Sequence, residues 1–106
     1  MPTTTTTIGG QAVHVDAEGF LTDLQEWSEP LAKALAALIG LELTDEHLRI
    51  VRLARDDFAV QGEAPTLRRS SSIAEVPIKT LFTLFPQKPA KKIAYVAGLP
   101  KPRGCI

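Results

Sequence analysis

Apolar residues recur at the three- and four-residue spacing of an amphipathic helix in two segments of the chain. The first segment predicts a helix over about residues 28–39, with the Ser28 hydroxyl as N-cap and Pro30 in the first turn. The second predicts a helix over about residues 45–60, which Thr44 caps in the same way. Each helix is expected to bury its apolar stripe.

The amino-terminal part of the chain alternates apolar and polar residues, as a half-buried strand does. Val13 and Val15 have polar neighbours, and the D-A-E-G group after them has turn chemistry. We therefore predict a small β-hairpin over residues 8–21. The threonine run at residues 3–7 has no periodicity and is expected to be a frayed lead-in.

The second half of the chain predicts shorter helices. Thr66 is a candidate N-cap for a third helix, which the serines after it and Pro77 keep short. Residues 78–85 predict one or two apolar turns, and residues 88–97 a last helix that ends at a left-handed Gly98. The predicted fold class is α+β, mostly α, with the hairpin packed on a small orthogonal helical bundle.

The chain ends in A-G-L-P-K-P-R-G-C-I, which we interpret as a flexible carboxyl-terminal arm. Pro100 and Pro102 bias the backbone around them toward an extended, polyproline-like stalk. Gly104 then offers a hinge before Cys105, the only cysteine of the chain. The predicted organisation is a disordered lead-in at residues 1–7, a single domain at residues 8–98 and the arm at residues 99–106.

Composition limits the class of protein. With 106 residues, 44% of them hydrophobic, the chain can form one small core but no roomy enclosed active site. Its 12 basic and 12 acidic side chains cancel, which argues against a nucleic-acid-binding protein, although the charged residues of 86–106 are all basic. No secretory, membrane-spanning or prenylation signal is recognisable, so a cytoplasmic protein is expected.

The position of Cys105 leaves two interpretations open. A thiolate is the nucleophile that takes a sulfane sulfur from a donor and holds it as a persulfide, but a lone exposed thiol can also be incidental. Lys101 and Arg103 favour the thiolate, whereas the terminal carboxylate of Ile106 disfavours it, so only modest activation is expected. Position alone does not decide between a carrier and an incidental thiol.

Other candidate sites carry weaker signals. His14 and His47 lack a second ligand at metal-binding spacing, so neither a metal nor a cofactor is expected. Asp56 and Asp57 are adjacent, point in different directions on a helix and are expected on the surface. Trp27, beside the first helix cap, is expected to be a core or staple residue.

Basic side chains raise two further hypotheses. Arg68 and Arg69, next to a helix pair, suggest DNA contact, but two arginines on a neutral protein are a small footprint and direct nucleic-acid binding is not expected. Lys91, Lys92 and Lys101 are candidates to steer the arm toward an acidic partner groove or toward phosphates held by a partner. A solvated basic end explains these lysines equally well.

The tail A-G-L-P-K-P-R-G-C-I, preceded by L-F-P-Q-K-P-A-K, resembles the end of the DsrC/TusE family of sulfur-relay proteins. The family pattern is L-F-P-x-G-P-A-K followed by A-G-L-P-K-P-x-x-C. The segments D-A-E-G-F-L, E-W-S-E-P-L-A and L-T-D-E-H-L-R-I-V-R-L-A-R-D-D-F are similar to the family's hairpin, first helix entry and second helix. The likeness covers about residues 10–106 and implies that Cys105 carries a persulfide.

The resemblance also implies a branch of the family. Members that act with dissimilatory sulfite reductase have a second cysteine where this chain has Ala94. The single-cysteine, TusE-like branch is therefore implied, whose members accept sulfur from an upstream relay complex and pass it to a tRNA thiouridylase. The chain would be a sulfur carrier without independent turnover. The alternatives are a regulatory or interaction module that delivers no sulfur, and a protein of the sulfite reductase gamma type.

The chain departs from the family pattern in three places. Leu48 and Phe58 stand where the pattern of the second helix has a tryptophan and a tyrosine. Lys88 stands where the pattern has the glycine of G-P-A-K, and the segment around residues 69–80 is shorter and lacks the family's tyrosine motif. Arg68 matches the family arginine. The residues that we expect to stabilise the arm or to guide docking are Arg68, Lys91, Lys101 and Arg103.

Overall fold

The computed structural model describes residues 3–102. Within them the chain forms a two-stranded antiparallel sheet and five α-helices, which confirms the predicted α+β class. The strands are β1 (Thr4–Ile8) and β2 (Gln11–Val15), and the helices are α1 (Glu29–Leu38), α2 (Asp45–Gln61), α3 (Leu67–Ala74), α4 (Ile78–Leu84) and α5 (Pro89–Val96). A 3-10 turn at Leu24–Glu26 precedes α1.

The predicted starts of the first three helices are confirmed, because each start depends on a local side chain. The hydroxyl groups of Ser28, Thr44 and Thr66 accept hydrogen bonds from backbone amides in the first turns of α1, α2 and α3. At α2 the cap is reciprocal, since the Thr44 amide donates to Nδ1 of His47 at 3.1 Å. His47 Nε2 in turn donates to the Leu84 carbonyl at 2.7 Å, which ties α2 to the end of α4.

The hairpin lies earlier in the chain than predicted. β1 pairs antiparallel with β2, and Thr4 lies opposite Val15. The expectation of a frayed lead-in at residues 3–7 was therefore wrong. Threonine is β-branched and suits a strand once a pairing partner is present. The turn at Gly9–Gly10, where both glycines have positive φ, brings that partner into register.

The D-A-E-G group makes a separate turn after β2. The Asp16 carboxylate accepts hydrogen bonds from the amides of Glu18 and Phe20, at 2.9 and 3.0 Å. The chain then returns alongside β2 at Leu21, which forms an isolated bridge to Val15. The turn leaves the Glu18 side chain exposed.

Two hydrophobic clusters fill the interior of the described fold. The smaller cluster lies between the hairpin and α1, and its buried residues are Ile8, Val13, Val15, Leu21, Leu31 and Leu35. The larger cluster joins the helices, and its large buried side chains include Phe20, Ile50, Leu81, Phe85, Ile93 and Leu99. Trp27, predicted as a core or staple residue, is half-buried and packs against both clusters.

Asp57 is buried, contrary to the prediction that it lies on the surface of α2. Asp56 and Asp57 were both expected on the surface, but of the two only Asp56 is exposed. The Asp57 carboxylate accepts hydrogen bonds from Nε of Arg69 at 2.8 and 2.9 Å, and it lies 2.6 Å from Nη2 of the same residue. The pattern of α2 could not reveal this pair, because the arginine that covers Asp57 comes from α3.

The carboxyl-terminal end of α5 is held by two side chains from elsewhere in the fold. Trp27 Nε1 donates to the Val96 carbonyl at 2.8 Å, and Arg55 Nη1 donates to the Ala97 carbonyl at 2.7 Å. The Arg55 guanidinium also lies over the Trp27 ring, 4.4 Å from its centroid. Burial lowers the pKa of Arg55, although an arginine remains charged at neutral pH. We call Trp27 and Arg55 the α5 clamp, which satisfies carbonyl groups that a helix end leaves unpaired.

Gly98 follows the clamp and has no room for a side chain. Its φ of 70° lies in the left-handed region, as predicted for the terminator of the last helix. A Cβ atom on Gly98 would lie 2.7 Å from Cδ1 of Trp27 and 3.0 Å from Cδ1 of Leu21. The chain can therefore pass under Trp27 without local displacement only with glycine at this position.

We expect Gly98→Ala to lower the free energy of unfolding by about 2–3 kcal/mol, because its Cβ meets Trp27 and its φ becomes unfavourable. Gly40→Ala is the matched control. Gly40 has a φ of 75° but no atom within 4 Å of the position of a Cβ, so its variant should lose only about 1 kcal/mol. Urea denaturation followed by circular dichroism measures both losses. Equal losses would contradict a steric constraint from Trp27.

We expect Arg69→Met to lower the free energy of unfolding by about 3 kcal/mol and Asp57→Asn by about 1 kcal/mol. The Asp57 side chain is 6% exposed and would remain as an unpaired buried carboxylate, whereas the Arg69 side chain is 46% exposed and can be hydrated. The same urea titrations test this order. A larger loss for Asp57→Asn than for Arg69→Met would show that the pair is not asymmetric.

Candidate functional site

The arm that is predicted to carry the thiol begins inside the core. Leu99, expected as the first residue of an extended stalk, has only 1% of its surface exposed and packs in the larger cluster. Its amide donates to the Ala94 carbonyl at 2.9 Å, which closes the end of α5. Pro100 and Lys101 are exposed but Pro102 is buried, so the root of the arm stays against the domain as far as Pro102.

An ion pair joins this root to the turn after β2. Lys101 Nζ lies 3.2 Å from Oε1 of Glu18. The two side chains are 36% and 49% exposed, so their pairing adds little to stability but restricts where the root lies. The contact is compatible with the predicted role of Lys101 in stabilising the arm, which stays a prediction.

Cys105 and Arg103 lie outside the described residues, as does the hinge predicted at Gly104. Their roles stay predictions. The described residues do define where the last segment starts. In the sequence, Cys105 follows Pro102 by three residues.

A cavity of about 410 Å³ opens beside the root of the arm. We call it the lysine-rimmed cavity, and it is lined by Glu18, Phe20, Ile39, Gln87, Lys88, Lys91, Lys92 and Tyr95. Lys91, predicted as a docking or arm-stabilising residue, lies on its rim, and Glu18 connects the rim to Lys101. The fold thus brings Lys91 and Lys101 to the same region.

A second cavity, of about 520 Å³, borders the root at Leu99. Besides Leu99 it is lined by Leu24, Arg55, Asp56, Phe58, Ala59 and Gly62. Its charged lining residues are Arg55 and Asp56. Both cavities therefore offer polar and apolar contact surfaces beside the root of the arm.

Arg68 is not brought to the arm root. It is exposed on α3, lines neither of the two cavities, and has no ion pair or hydrogen bond from its side chain to another described residue. Its neighbour Arg69 is engaged by Asp57. The two arginines therefore have different surroundings, and the expectation that the chain does not bind nucleic acid directly stays a prediction.

Three participants in this region were not found from the sequence: Glu18, Arg55 and Tyr95. Tyr95 packs edge-on against Phe20, with ring centroids 5.6 Å apart, and burial raises the pKa of its hydroxyl. Glu18 and Arg55 contact Lys101 and the Ala97 carbonyl, 83 and 42 residues away in the chain. Contacts over such separations leave no local pattern, so no sequence signal marked these residues.

The described residues contain no cluster of histidine, cysteine and carboxylate side chains that could hold a metal ion. Both histidines have other partners, since His14 Nδ1 lies 2.6 Å from Oε2 of Glu26 and His47 links α2 to α4. Hydrogen bonds from the backbone amide and the ring of His14 lower the pKa of Glu26. Between residues 3 and 102 no helix is long and apolar enough to cross a membrane.

The chain matches a protein-family model described as DsrC like protein over residues 7–106. Several relatives carry the name Sulfurtransferase TusE. The protein from Salmonella paratyphi A is 38% identical over 104 residues, and the protein from Escherichia coli is 36% identical over 104 residues. Each alignment covers 92% of this chain and 95% of the relative.

Solved structures share the whole fold. The NMR structure of DsrC from Allochromatium vinosum is similar with a TM-score of 0.84 and 34% identity, over 99% of this chain and 100% of that one. The crystal structure of the oxidized gamma-subunit of dissimilatory sulfite reductase from Archaeoglobus fulgidus is similar with a TM-score of 0.78 and 36% identity, over 97% and 100%. As the tail motif indicated, and as sequence and fold agree along nearly the full chain, this protein belongs to the DsrC-like family.

Proposed function

We propose that this protein is a sulfur carrier, in which Cys105 holds a persulfide and passes the outer sulfur from one relay partner to another. The observation that carries the proposal is the position of Cys105. In a chain of the DsrC-like family, the only cysteine occupies the place of the persulfide cysteine in the family's tail motif. The relatives named Sulfurtransferase TusE support the same function.

The transfer requires neither a cofactor nor an oxidant. The Cys105 thiolate attacks the outer sulfur of a persulfide on the donor, the sulfur–sulfur bond of the donor breaks, and the donor cysteine leaves as a thiolate. Cys105 then holds that sulfur until a nucleophile of the acceptor attacks it and Cys105 leaves as a thiolate. Each step moves one sulfur atom and exchanges one thiolate for another.

The described residues position the root of the arm, and they contribute little to the activation of the thiol. The α5 clamp and the buried Leu99 anchor the root, and Pro100 and Pro102 restrict its backbone. The charge of Lys101 favours a nearby thiolate, but Lys101 also forms an ion pair with Glu18. We therefore expect the stronger activation of the thiol to come from the partner's pocket, so that the protein carries sulfur without independent turnover.

The TusE-like route is favoured over delivery to a sulfite reductase. Ala94, which matches the second cysteine of the sulfite reductase branch, is fully buried in the larger cluster. With a single cysteine in the chain, Cys105 has no internal partner for a disulfide. We propose that the sulfur goes toward 2-thiouridine in tRNA, through an upstream donor complex and a downstream thiouridylase in the cytoplasm.

Basic residues around the arm are proposed to guide docking. Lys91 and Lys101 lie in the region from which a partner reaches the end of α5. Their charges attract an acidic partner surface and raise the rate of encounter. Arg68 and Arg103 have the same proposed role, with Arg68 serving a partner that extends over α3.

We expect wild-type protein to gain one sulfur atom, reversible by reductant, after incubation with a cysteine desulfurase and cysteine. Cys105→Ser should gain none, because it has no thiol. Val60→Cys in the Cys105→Ser chain is the matched control, since Val60 is 80% exposed on α2 and offers an incidental thiol. Intact-mass spectrometry measures the gain. No gain in the wild type even when the upstream relay proteins are added, or an equal gain in the control, would refute a dedicated carrier.

We expect sulfur loaded on Cys105 to appear in tRNA when a tRNA thiouridylase and its activating nucleotide are added. Radiolabelled sulfur followed into the isolated thionucleoside measures this step. Loading without transfer would exclude the tRNA route while leaving the carrier intact, and would direct the search to an acceptor of the sulfite reductase type. The regulatory alternative predicts that neither loading nor transfer occurs.

A further inference from the structure

The lysine-rimmed cavity carries cations that the described fold does not use. Neither Lys88 nor Lys91 forms an ion pair or side-chain hydrogen bond with another described residue. Lys92 Nζ donates to the Pro86 carbonyl, which leaves its charge uncompensated. The one carboxylate in the lining, Glu18, is paired with Lys101. The rim is therefore electropositive and has no matching anion of its own among residues 3–102.

Lys88 occupies a backbone position that suits glycine. Its φ of 46° and ψ of 57° are left-handed, and it follows Gln87, which also has a positive φ of 58°. A residue with a Cβ is disfavoured there, whereas glycine adopts the conformation freely. The lysine side chain is thus presented at the rim at the expense of local backbone stability, which suggests a gain elsewhere.

The charge pattern of α5 is also unfavourable for the helix itself. Lys88 is its N-cap and provides no side-chain hydrogen bond, and Lys91 and Lys92 follow in the first turns, where no acidic residue is present. Cations at the amino-terminal end of a helix oppose the helix dipole. An anionic group bound at the rim would compensate both the dipole and the lysines.

The floor of the cavity is apolar and selects against a purely charged occupant. Phe20 is 2% exposed and meets the edge of the half-buried Tyr95, and Ile39 completes the wall. A tyrosine hydroxyl is neutral at neutral pH, and burial raises the pKa of Tyr95 further, so Tyr95 adds no negative charge to the site. An occupant that fits both surfaces combines an apolar side chain with flanking anions.

We propose that the lysine-rimmed cavity docks an acidic segment of a partner protein, with an apolar side chain of that segment against Tyr95 and Ile39 and its carboxylates beside Lys88 and Lys91. A peptide fits better than a nucleic acid, because the floor is apolar and the whole chain has a net charge of zero. This inference rests on the proposed carrier function for one point, that the partner is a protein.

The lysine-rimmed cavity lies where a relay partner of a sulfur carrier would be expected to dock. Glu18 lines the cavity and also holds Lys101 at the root of the arm. A partner docked here therefore lies next to the root of the arm, three residues before Cys105 in the sequence. Docking at the cavity would bring the donor or acceptor site to the thiol without a rearrangement of the domain.

The test uses isotope-labelled Cys105→Ser protein and the hexapeptide acetyl-Glu-Asp-Leu-Phe-Asp-Glu-amide as a probe, followed by NMR titration. We expect amide shifts at Glu18 and residues 87–95. The neutral peptide with glutamine and asparagine in place of the acids should bind several times more weakly. Lys88→Gly with Lys91→Gln should weaken binding of the acidic peptide about fivefold. Lys33→Gln, at an exposed lysine of α1 that does not line the cavity, should leave it unchanged.

The thermal stability of the Lys88→Gly variant, measured without any peptide, gives a second test. Because glycine relieves the left-handed strain and removes a cation from the helix start, the thermal midpoint of the free protein should rise, whereas Lys33→Gln should leave it unchanged. A decrease would mean that Lys88 serves the fold, and would overturn the proposal.

Three binding results would also overturn it: equal affinity for the acidic and neutral peptides, shifts outside the cavity, or tighter binding of hexathymidylate at the same residues. The last result would assign the cavity to a phosphate chain. Persulfide loading at Cys105 is measured separately in the wild type. A negative titration with normal loading refutes the docking site alone, and a positive titration with no loading refutes the carrier alone.

Discussion

The hold of Trp27 and Arg55 on the end of α5 is the contact on which the carboxyl-terminal region depends. One side chain comes from the segment before α1 and the other from α2, and together they satisfy the last carbonyls of α5. Arg55 also donates to the Leu24 carbonyl at 3.0 Å, so the clamp is tied to the 3-10 turn. Because Gly98 passes directly under Trp27, the chain leaves the helix in one direction and Leu99 enters the core. A carrier arm thus starts from a rigid point.

An anchored root at the end of α5 suits a sulfur carrier. A persulfide transfer is an exchange between thiolates, and its requirements are reach, exposure and a partner pocket that activates the sulfur. The core provides the anchored root, while the neighbouring surface provides charge. Lys101 and the lysine-rimmed cavity lie on that surface, and Glu18 joins the two. The anchored root and this charged surface therefore lie in the same region of the fold.

Features that depend on residues close in the sequence were predicted correctly, whereas features that depend on contacts between distant segments were not. Ser28, Thr44 and Thr66 each cap the amide three positions after them, so the spacing of polar and apolar residues predicted those helices correctly. The threonine strand was missed because it depends on pairing with β2, and Asp57 was misplaced because α3 covers it. In both cases the segment has a composition that is typical of exposed residues, and only its contact with a second element places it in the fold.

The sequence by itself determined the helices, the single thiol in the penultimate position and the family, because caps, apolar spacing and the order of the tail motif are local or covalent properties. Only the tertiary structure decided that Leu99 is core, that Arg55 closes the end of α5, and that Glu18 and Lys91 belong to the same region as Lys101. Glu18 and Lys101 are 83 residues apart. Contacts over such separations form only when the helices pack, and no local pattern encodes them.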